Sequence, residues 1–239
     1  MNRSLALVTG GARRLGRAFS LALARMGYSI ALHHRGSVNE AERLTEEIRA
    51  MGVECLPIRA DLTIPEKIDF LFSIVDEFNA PLKVLVNSAA LMPVGKPQEL
   101  DFHDWDSALD LNLRAPFLLA QQAAKRMTAG GLIVNITDIG AQKAWSRYPS
   151  YTVSKAGLES LTKLLARALA PSIRVNAIAP GFVLPSDVVT EEQWNKLISR
   201  LPIPRAARLD EITSALEFLI KNEYITGQTI VVDGGYSLL

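Results

Sequence analysis

Residues 5–16 read LALVTGGARRLG, a short apolar run followed at once by a glycine-rich turn. The run 5–8 is short and bounded by Thr9 and Gly10, a pattern typical of a buried strand. Apolar residues then recur at helical spacing, at Leu15, Phe19, Leu23 and Met26. A strand, a tight turn and a helix in direct succession predict the first unit of a parallel α/β sheet.

The same alternation continues to the end of the chain. Further short apolar runs, bounded by Gly, Pro or Asn, predict strands at 29–32, 54–59, 84–86, 132–136, 174–179 and 229–232. Helical faces are predicted from Ala41, Leu44, Ile48 and Met51, and from Ile68, Leu71, Phe72 and Val75. Before the second of these faces, Asp61 or Thr63 is the predicted helix cap and Pro65 lies in the first turn.

Strict alternation predicts a Rossmann-type, doubly wound parallel sheet of about seven strands with helices on both faces. We expect one domain over residues 1–239, because no linker, repeat or composition break interrupts the pattern. The segment 182–208 is long and lacks a clear strand, so it is predicted to be a substrate lid.

Composition narrows the class of protein. The chain has 239 residues with 26 basic and 25 acidic side chains, and this balance gives no global field for nucleic acid or anionic membranes. The single cysteine, Cys55, cannot form an intramolecular disulfide. No HExxH or CxxC motif predicts a metal site, and no apolar run approaches the ~18 residues of a membrane span. We expect a soluble, cytoplasmic domain with a small-molecule substrate.

The turn after the first strand is a candidate phosphate site. Gly10 and Gly16 permit a tight turn and a close backbone approach, and the amides of Arg13, Arg14 and Leu15 begin the helix. A helix N-terminus attracts an anion such as a dinucleotide pyrophosphate. The alternative is an ordinary glycine-containing turn.

The end of the second strand bears on the choice of nucleotide. A free ribose 2′-hydroxyl is usually bound there by Asp or Glu, whereas residues 33–37 read HHRGS and the first carboxylate is Glu40. His34, Arg35 and Ser37 suit a 2′-phosphate, which predicts NADP(H) rather than NAD(H). The alternative is a solvated polar loop.

Tyr151 and Lys155 lie four residues apart and share one face of a predicted helix. A nearby ammonium favours phenolate and is expected to lower the pKa of the tyrosine toward the range of a proton donor.

In order and spacing, the motifs resemble the short-chain dehydrogenase/reductase family over essentially the full length of the chain. The matching elements are Thr9-Gly10…Gly16, Asp61-Leu62, Asn87-Ser88-Ala89, Asn112, Tyr151…Lys155, Pro180-Gly181 and Val232-Asp233-Gly234-Gly235. The resemblance implies that Asp61 and Leu62 lie near the adenine, Asn87, Ser88 and Ala89 along the cofactor, and Pro180 and Gly181 by the nicotinamide. It also implies that Tyr151 donates the proton, Lys155 holds the nicotinamide ribose, Asn112 holds a water of the proton relay, and the chain forms a homotetramer.

Two departures from the common family pattern point to a subfamily. Arg14 stands where the turn usually has a small residue, and Asp138 stands thirteen residues before Tyr151, where the catalytic serine usually lies. Both resemble pteridine reductases and bacterial dihydromonapterin/dihydrofolate reductases. A carboxylate can orient the tyrosine hydroxyl, or pass a proton itself if burial raises its pKa. The predicted substrate residues are Arg14, Asp138, Met92, Tyr151 and Phe182.

Other interpretations remain open. Asp138 could be a solvated turn residue with Thr137 supplying a hydroxyl, which would favour a reductase of ketones or 3-oxoacyl thioesters. A non-catalytic nucleotide sensor is a further alternative. Met92 also stands near where pteridine reductases place an aromatic residue, and the candidate replacements are Trp145, Phe182 and Trp194.

Overall fold

The computed structural model describes residues 4–127, 129–143, 145–186 and 189–239. The strands are β1 (Leu5–Thr9), β2 (Ser29–His34), β3 (Cys55–Arg59), β4 (Leu82–Asn87), β5 (Gly131–Ile136), β6 (Ile173–Pro180) and β7 (Thr229–Val232). The α-helices are α1 (Arg14–Arg25), α2 (Val38–Ala50), α3 (Pro65–Val75), α4 (Phe102–Leu109), α5 (Ala115–Ala124), α6 (Pro149–Leu169), α7 (Glu191–Ile198) and α8 (Leu209–Lys221). A π-helical turn at Asp110–Arg114 joins α4 to α5, and short 3-10 turns form at Ile139–Ala141 and Tyr236–Leu238.

The seven strands form one sheet in the order β3-β2-β1-β4-β5-β6-β7, and every neighbouring pair is parallel. The predicted doubly wound sheet is confirmed, and each predicted strand is present with small shifts at its ends. The strand order reverses between β1 and β4, and ligands of such sheets bind at the carboxyl ends of the strands beside that reversal.

Two hydrophobic cores lie on opposite faces of the sheet. Ala6 and Val8 of β1 face the core under α1, α2 and α8, whereas Leu5 and Leu7 face the core under α3, α5 and α6. This alternation follows from the two-residue repeat of a strand, and burial on both faces explains why β1 is uniformly apolar before Thr9.

The residues of the predicted helix faces are buried or partly buried, except Met51. Ile68, Leu71, Phe72 and Val75 of α3 all lie in a core. Met51 is 39% exposed because α2 ends one residue before it, so its side chain falls beyond the buried face.

The predicted cap of α3 is wrong. The N-cap residue is Ile64, which makes no side-chain capping bond, while Pro65 occupies the first turn as expected. Asp61 instead closes the turn before the helix, because its Oδ1 accepts from the amide and the hydroxyl of Thr63 at 3.0 and 2.7 Å.

The described part of the segment 182–208 contains one helix, α7, which begins with a capping box between Thr190 and Gln193. Residues 187 and 188 of this segment lie outside the described residues. Over the described ranges, no helix is both long enough and apolar enough to cross a membrane.

Gly16 provides a test of the turn that joins β1 to α1. A Cβ atom at Gly16 would overlap the carbonyl oxygen of Gly10, so Gly16→Ala must displace the helix from the strand. We expect a loss of about 3 kcal/mol of unfolding free energy, which corresponds to a fall in Tm of roughly 6–12 °C. Thermal unfolding followed by circular dichroism measures the shift. Gly36→Ala is the control, because nothing lies within 4 Å of a Cβ at Gly36, and equal Tm values for both variants would contradict the steric argument.

Candidate active site

A cavity of about 1120 Å³ opens at the carboxyl ends of the strands on both sides of the reversal. Most of the predicted site residues line it: Gly10, Arg13, Arg14, Leu15, Gly16, Arg35, Ser37, Leu62, Ser88, Ala89, Met92, Asp138, Tyr151, Lys155, Pro180, Gly181 and Phe182. Among the described residues, the cavity walls do not include four predicted ones, which are His34, Asp61, Asn87 and Asn112.

Thr9 ties the two strands at the reversal. Its hydroxyl donates to the carbonyl oxygen of Val86 in β4 at 3.4 Å and accepts from the amides of Ser88 and Ala89 at 3.0 and 3.1 Å. The chain leaving β4 is therefore held beside the turn that leaves β1. Sequence reasoning named Thr9 as part of the Thr9-Gly10 motif but gave it no role, because its partners lie almost eighty residues away.

The start of α1 has the chemistry of an anion site. The first amides of any helix have no intrahelical partner. In α1 the N-cap Arg13 makes no side-chain capping bond to them, and the first turn contains no acidic residue that would repel an anion. Gly10 has a φ of +61°, and a Cβ there would lie 3.0 Å from the Cα of Ala89. The cavity therefore approaches bare main chain at this turn, as a phosphate group requires.

Basic and hydroxyl side chains stand at the end of β2. Arg35 and Ser37 line the cavity, while Glu40 forms an exposed ion pair with Arg13 at 3.6 Å. His34 is buried, and its carbonyl oxygen accepts from the amide of Ala60. The residues that reach the cavity here suit an anionic group such as a 2′-phosphate.

Arg14 connects the turn to the segment 182–208. Its φ of +50° lies in the left-handed region, which a residue other than glycine adopts at an energetic cost. Its two terminal guanidinium nitrogens donate to the carbonyl oxygens of Pro185 and Leu184, at 3.0 and 3.1 Å. Arg14 therefore lines the cavity while its donors hold the main chain of the segment 182–208.

Helix α6 brings Tyr151 and Lys155 to the end of β5, where Asp138 follows the strand. The Tyr151 hydroxyl donates to Oδ2 of Asp138 at 2.8 Å, and Oδ1 of Asp138 accepts from the amide of Gly140 at 2.7 Å. Lys155 donates to the carbonyl oxygen of Ile136 at 2.7 Å, and its Nζ lies 5.6 Å from the centre of the Tyr151 ring. A phenol, a carboxylate and an ammonium thus meet in one pocket.

Burial controls the protonation of these three groups. Burial and then the charge and hydrogen bond of Asp138 raise the pKa of Tyr151 well above its ordinary value, so the expected lowering by Lys155 is wrong. Burial also raises the pKa of Asp138, against opposing hydrogen bonds from Gly140 and Tyr151. Burial lowers the pKa of Lys155 to about 8, although the charge of Asp138 acts to raise it.

Asn112 and Asn87 bond inside the protein. The Asn112 amide nitrogen donates to the carbonyl oxygen of Leu91 at 2.8 Å and to the Ser154 hydroxyl at 3.0 Å, and its oxygen accepts from the amide of Leu91 at 2.8 Å. Asn87 donates to the side-chain oxygen of Asn135 at 2.8 Å. Both residues therefore hold the loop and the strand that form the cavity wall.

Aromatic rings line the side of the cavity near the segment 182–208. Phe182 lies 5.0 Å from Tyr236 and 5.6 Å from Trp194 between ring centroids. Trp145 donates its indole N–H to the Tyr236 hydroxyl at 3.3 Å. Sequence reasoning missed Tyr236, and the signal for it was the Gly234-Gly235 turn that directs it toward the cavity.

Thr137 lies beside Asp138 but its hydroxyl is engaged elsewhere. It is 2% exposed and donates to the carbonyl oxygen of Ile178 at 3.2 Å. A hydroxyl donating to main chain in this way is not directed at a substrate, so the side chain of Asp138 is the polar group next to Tyr151.

A family model and a relative of known function each match nearly the whole chain. A family model described as enoyl-(acyl carrier protein) reductase matches residues 10–237. The chain is 35% identical to the 3-oxoacyl-[acyl-carrier-protein] reductase FabG of Staphylococcus epidermidis, with 98% of this chain and 99% of that protein covered.

Solved structures match as well. The FolM alternative dihydrofolate reductase 1 of Brucella suis, in complex with NADP, has a TM-score of 0.94 and 38% identity, with 99% of this chain and 96% of that chain covered. A blue fluorescent protein from a metagenomic library, in complex with NADPH, has a TM-score of 0.92 and 31% identity, with 99% and 98% covered. Given its sheet, its Tyr151 and Lys155 pair and these relatives, the chain belongs to the short-chain dehydrogenase/reductase family.

Proposed function

We propose that this protein is an NADPH-dependent reductase of a pteridine, either a dihydropterin or a dihydrofolate. The observation that carries the proposal is the hydrogen bond from Tyr151 to Asp138, beside Lys155, at the end of β5. The likeness to a dihydrofolate reductase of Brucella suis supports the same substrate class.

The cavity fits NADPH at its basic end. The pyrophosphate would bind the first amides of α1, and the 2′-phosphate would bind Arg35 and Ser37. Gly181, which lines the cavity, packs against the main chain of Asp233, since a Cβ at Gly181 would lie 2.7 Å from its Cα. When bound, NADPH supplies the hydride, and Lys155 would hold the ribose.

The protein's task at the other end of the cavity is to deliver a proton. Reducing a ring imine adds a hydride to carbon and a proton to nitrogen. The Tyr151 hydroxyl gives the proton, but phenolate beside a buried carboxylate is unfavourable. Asp138 accepts from the Tyr151 hydroxyl and orients it, and because burial raises the pKa of this carboxyl, it can take up a proton from solvent and replace the one that Tyr151 gives away. The ammonium of Lys155 stabilises the negative charge of the pair.

The lid segment 182–208 completes the pocket in this proposal. Phe182 and Trp194 from the lid stand with Trp145 and Met92 around the space beside Tyr151. Flat, polarizable surfaces of this kind suit a planar ring system.

A reductase of ketones or 3-oxoacyl thioesters is the second candidate, favoured by the 35% identity to FabG of Staphylococcus epidermidis. Against it, the Thr137 hydroxyl donates its proton to main chain, although Thr137 itself lines the cavity. A nucleotide sensor without catalytic activity has no use for Tyr151, Asp138 and Lys155 in one pocket.

Substitution of Asp138 tests the proposed substrate class. We expect Asp138→Ala to lower kcat about tenfold to a hundredfold for dihydrobiopterin and dihydrofolate, since proton transfer loses its partner. Asp138→Ser, which restores the serine common at this position in the family, should retain activity on an acetoacetyl thioester. NADPH oxidation with the three substrates side by side measures both effects. Thr137→Val is the matched control, and a large loss in it, with none in Asp138→Ala, would favour the thioester reductase.

The pH profile tests the electrostatic role of Asp138. Its charge raises the pKa of both Tyr151 and Lys155, so removing it in Asp138→Asn must lower both. The alkaline limb of kcat/KM should therefore move to lower pH in a profile measured from about pH 6 to 10. Glu159→Gln, which removes a carboxylate elsewhere on α6, should leave the limb in place. An unchanged limb in Asp138→Asn would exclude this coupling.

Arg35 tests the choice of nucleotide. Arg35→Ala should raise the KM for NADPH about tenfold or more, because a charge-assisted hydrogen bond to the 2′-phosphate is lost. The KM for NADH should change little, since NADH has no phosphate at that position. Initial rates with both nucleotides give the comparison, and wild-type protein that prefers NADH would refute the proposed cofactor.

A further inference from the structure

His33 is a buried histidine whose two ring nitrogens both contact main chain. It lies in β2 and is 2% exposed. Nδ1 accepts from the amide of Gly10 at 3.1 Å, and Nε2 lies 3.1 Å from the carbonyl oxygen of Ala60. Because an amide can only donate, Nδ1 carries no proton, and Nε2 donates to Ala60. The ring thus bridges the turn after β1 to the end of β3.

The ring is neutral under ordinary conditions. Burial lowers the pKa of His33 to about 4, against an opposing hydrogen bond to Ala60. Nδ1 is therefore available as an acceptor for Gly10 throughout the neutral range.

The main chain of His33 holds the next residue of the turn. Its carbonyl oxygen accepts from the amide of Gly11 at 2.9 Å, so two successive amides of the glycine-rich turn donate to one residue. Gly10 has a φ of +61°. Because glycine adopts many backbone conformations, the hydrogen-bond partners of Gly10 set the orientation of its peptide. With the Gly10 and Gly11 amides directed at His33, the amides left to face the cavity are those at the start of α1.

We propose that His33 is a positioning residue for dinucleotide binding, whose imidazole orients the Gly10 peptide so that the start of α1 presents its amides to the pyrophosphate. The proposal rests on the proposed use of NADPH. His33 acts through Gly10 rather than as a catalytic residue, so its removal should weaken cofactor binding and leave the chemical step unchanged.

Two substitutions of His33 distinguish the role of Nδ1 from that of Nε2. The oxygen of Asn can occupy the position of Nδ1 and accept from Gly10, whereas Phe has no acceptor at a similar ring size. We expect His33→Phe to raise the Kd for NADPH about tenfold, and His33→Asn to stay within about threefold of wild type. The kcat at saturating NADPH should differ by no more than about twofold in either variant.

The matched control is Cys55→Ala, which removes a fully buried side chain from the neighbouring strand β3 without touching the turn. It should lower Tm and leave the Kd unchanged. NADPH fluorescence titration gives the Kd, and thermal unfolding gives Tm for each variant. If the Kd for NADPH rises in step with the fall in Tm in every variant, the control included, His33 has only a structural role and the proposal is overturned.

The remaining outcomes are also decisive. Equal Kd values for wild type and His33→Phe, or equal losses in His33→Phe and His33→Asn, would overturn the proposal. If His33→Phe does not fold, His33→Gln replaces it, since its amide reaches the position of Nε2 and loses the Gly10 bond, so its Kd should rise. Wild-type protein that does not bind NADPH would refute the proposed function itself, whereas normal binding with no effect at His33 refutes only the positioning role.

Discussion

The close approach of Gly16 to the carbonyl oxygen of Gly10 is the constraint on which the cavity depends. Because no side chain fits between them, α1 begins directly against the end of β1, and its first amides face the crevice between β1 and β4. Thr9, one residue earlier, holds the chain that leaves β4 at the same place. The cofactor end of the cavity is thus fixed by main-chain contacts, and side chains add charge and specificity to a backbone already in position.

Local periodicity explains what could be predicted from the sequence. Strands and helix faces repeat every 2 or 3.6 residues, so the alternation along the chain predicts the sheet and both of its cores. The predicted burial of Met51 and the predicted cap of α3 were wrong, because helix ends depend on backbone geometry that periodicity does not report. The direction of the Tyr151 pKa was also wrong. The spacing of Tyr151 and Lys155 predicted their proximity but not their burial, and the bond from Tyr151 to Asp138 was expected only from the departure at residue 138. Sequence reasoning quoted His33 only as part of the segment 33–37 and missed Tyr236, because the partners of both residues are distant in sequence.

The charges of the active site depend on one another. Asp138 raises the pKa of Tyr151 and opposes the lowering of the pKa of Lys155, while Lys155 acts to lower the pKa of Asp138. Burial acts on all three groups against their charged forms. Removing any one of them leaves the others without their compensation, which is costly for buried charges. The site is therefore a single electrostatic unit rather than three independent residues.

The order of strands in the sheet also determines how the chain folds as it is synthesised. After β3 has paired with β2, every later strand is added at the other edge, next to the strand made just before it, except β4. β4 must find β1, and the contact between Thr9 and Val86 spans 77 residues. Until then one edge of β1 is exposed, and unpaired edges are where chains mispair and aggregate. The interval during which the ribosome extends the chain from β1 to β4 is thus the longest that any strand of this sheet waits for its partner, and it ends when the crevice at the strand reversal first forms.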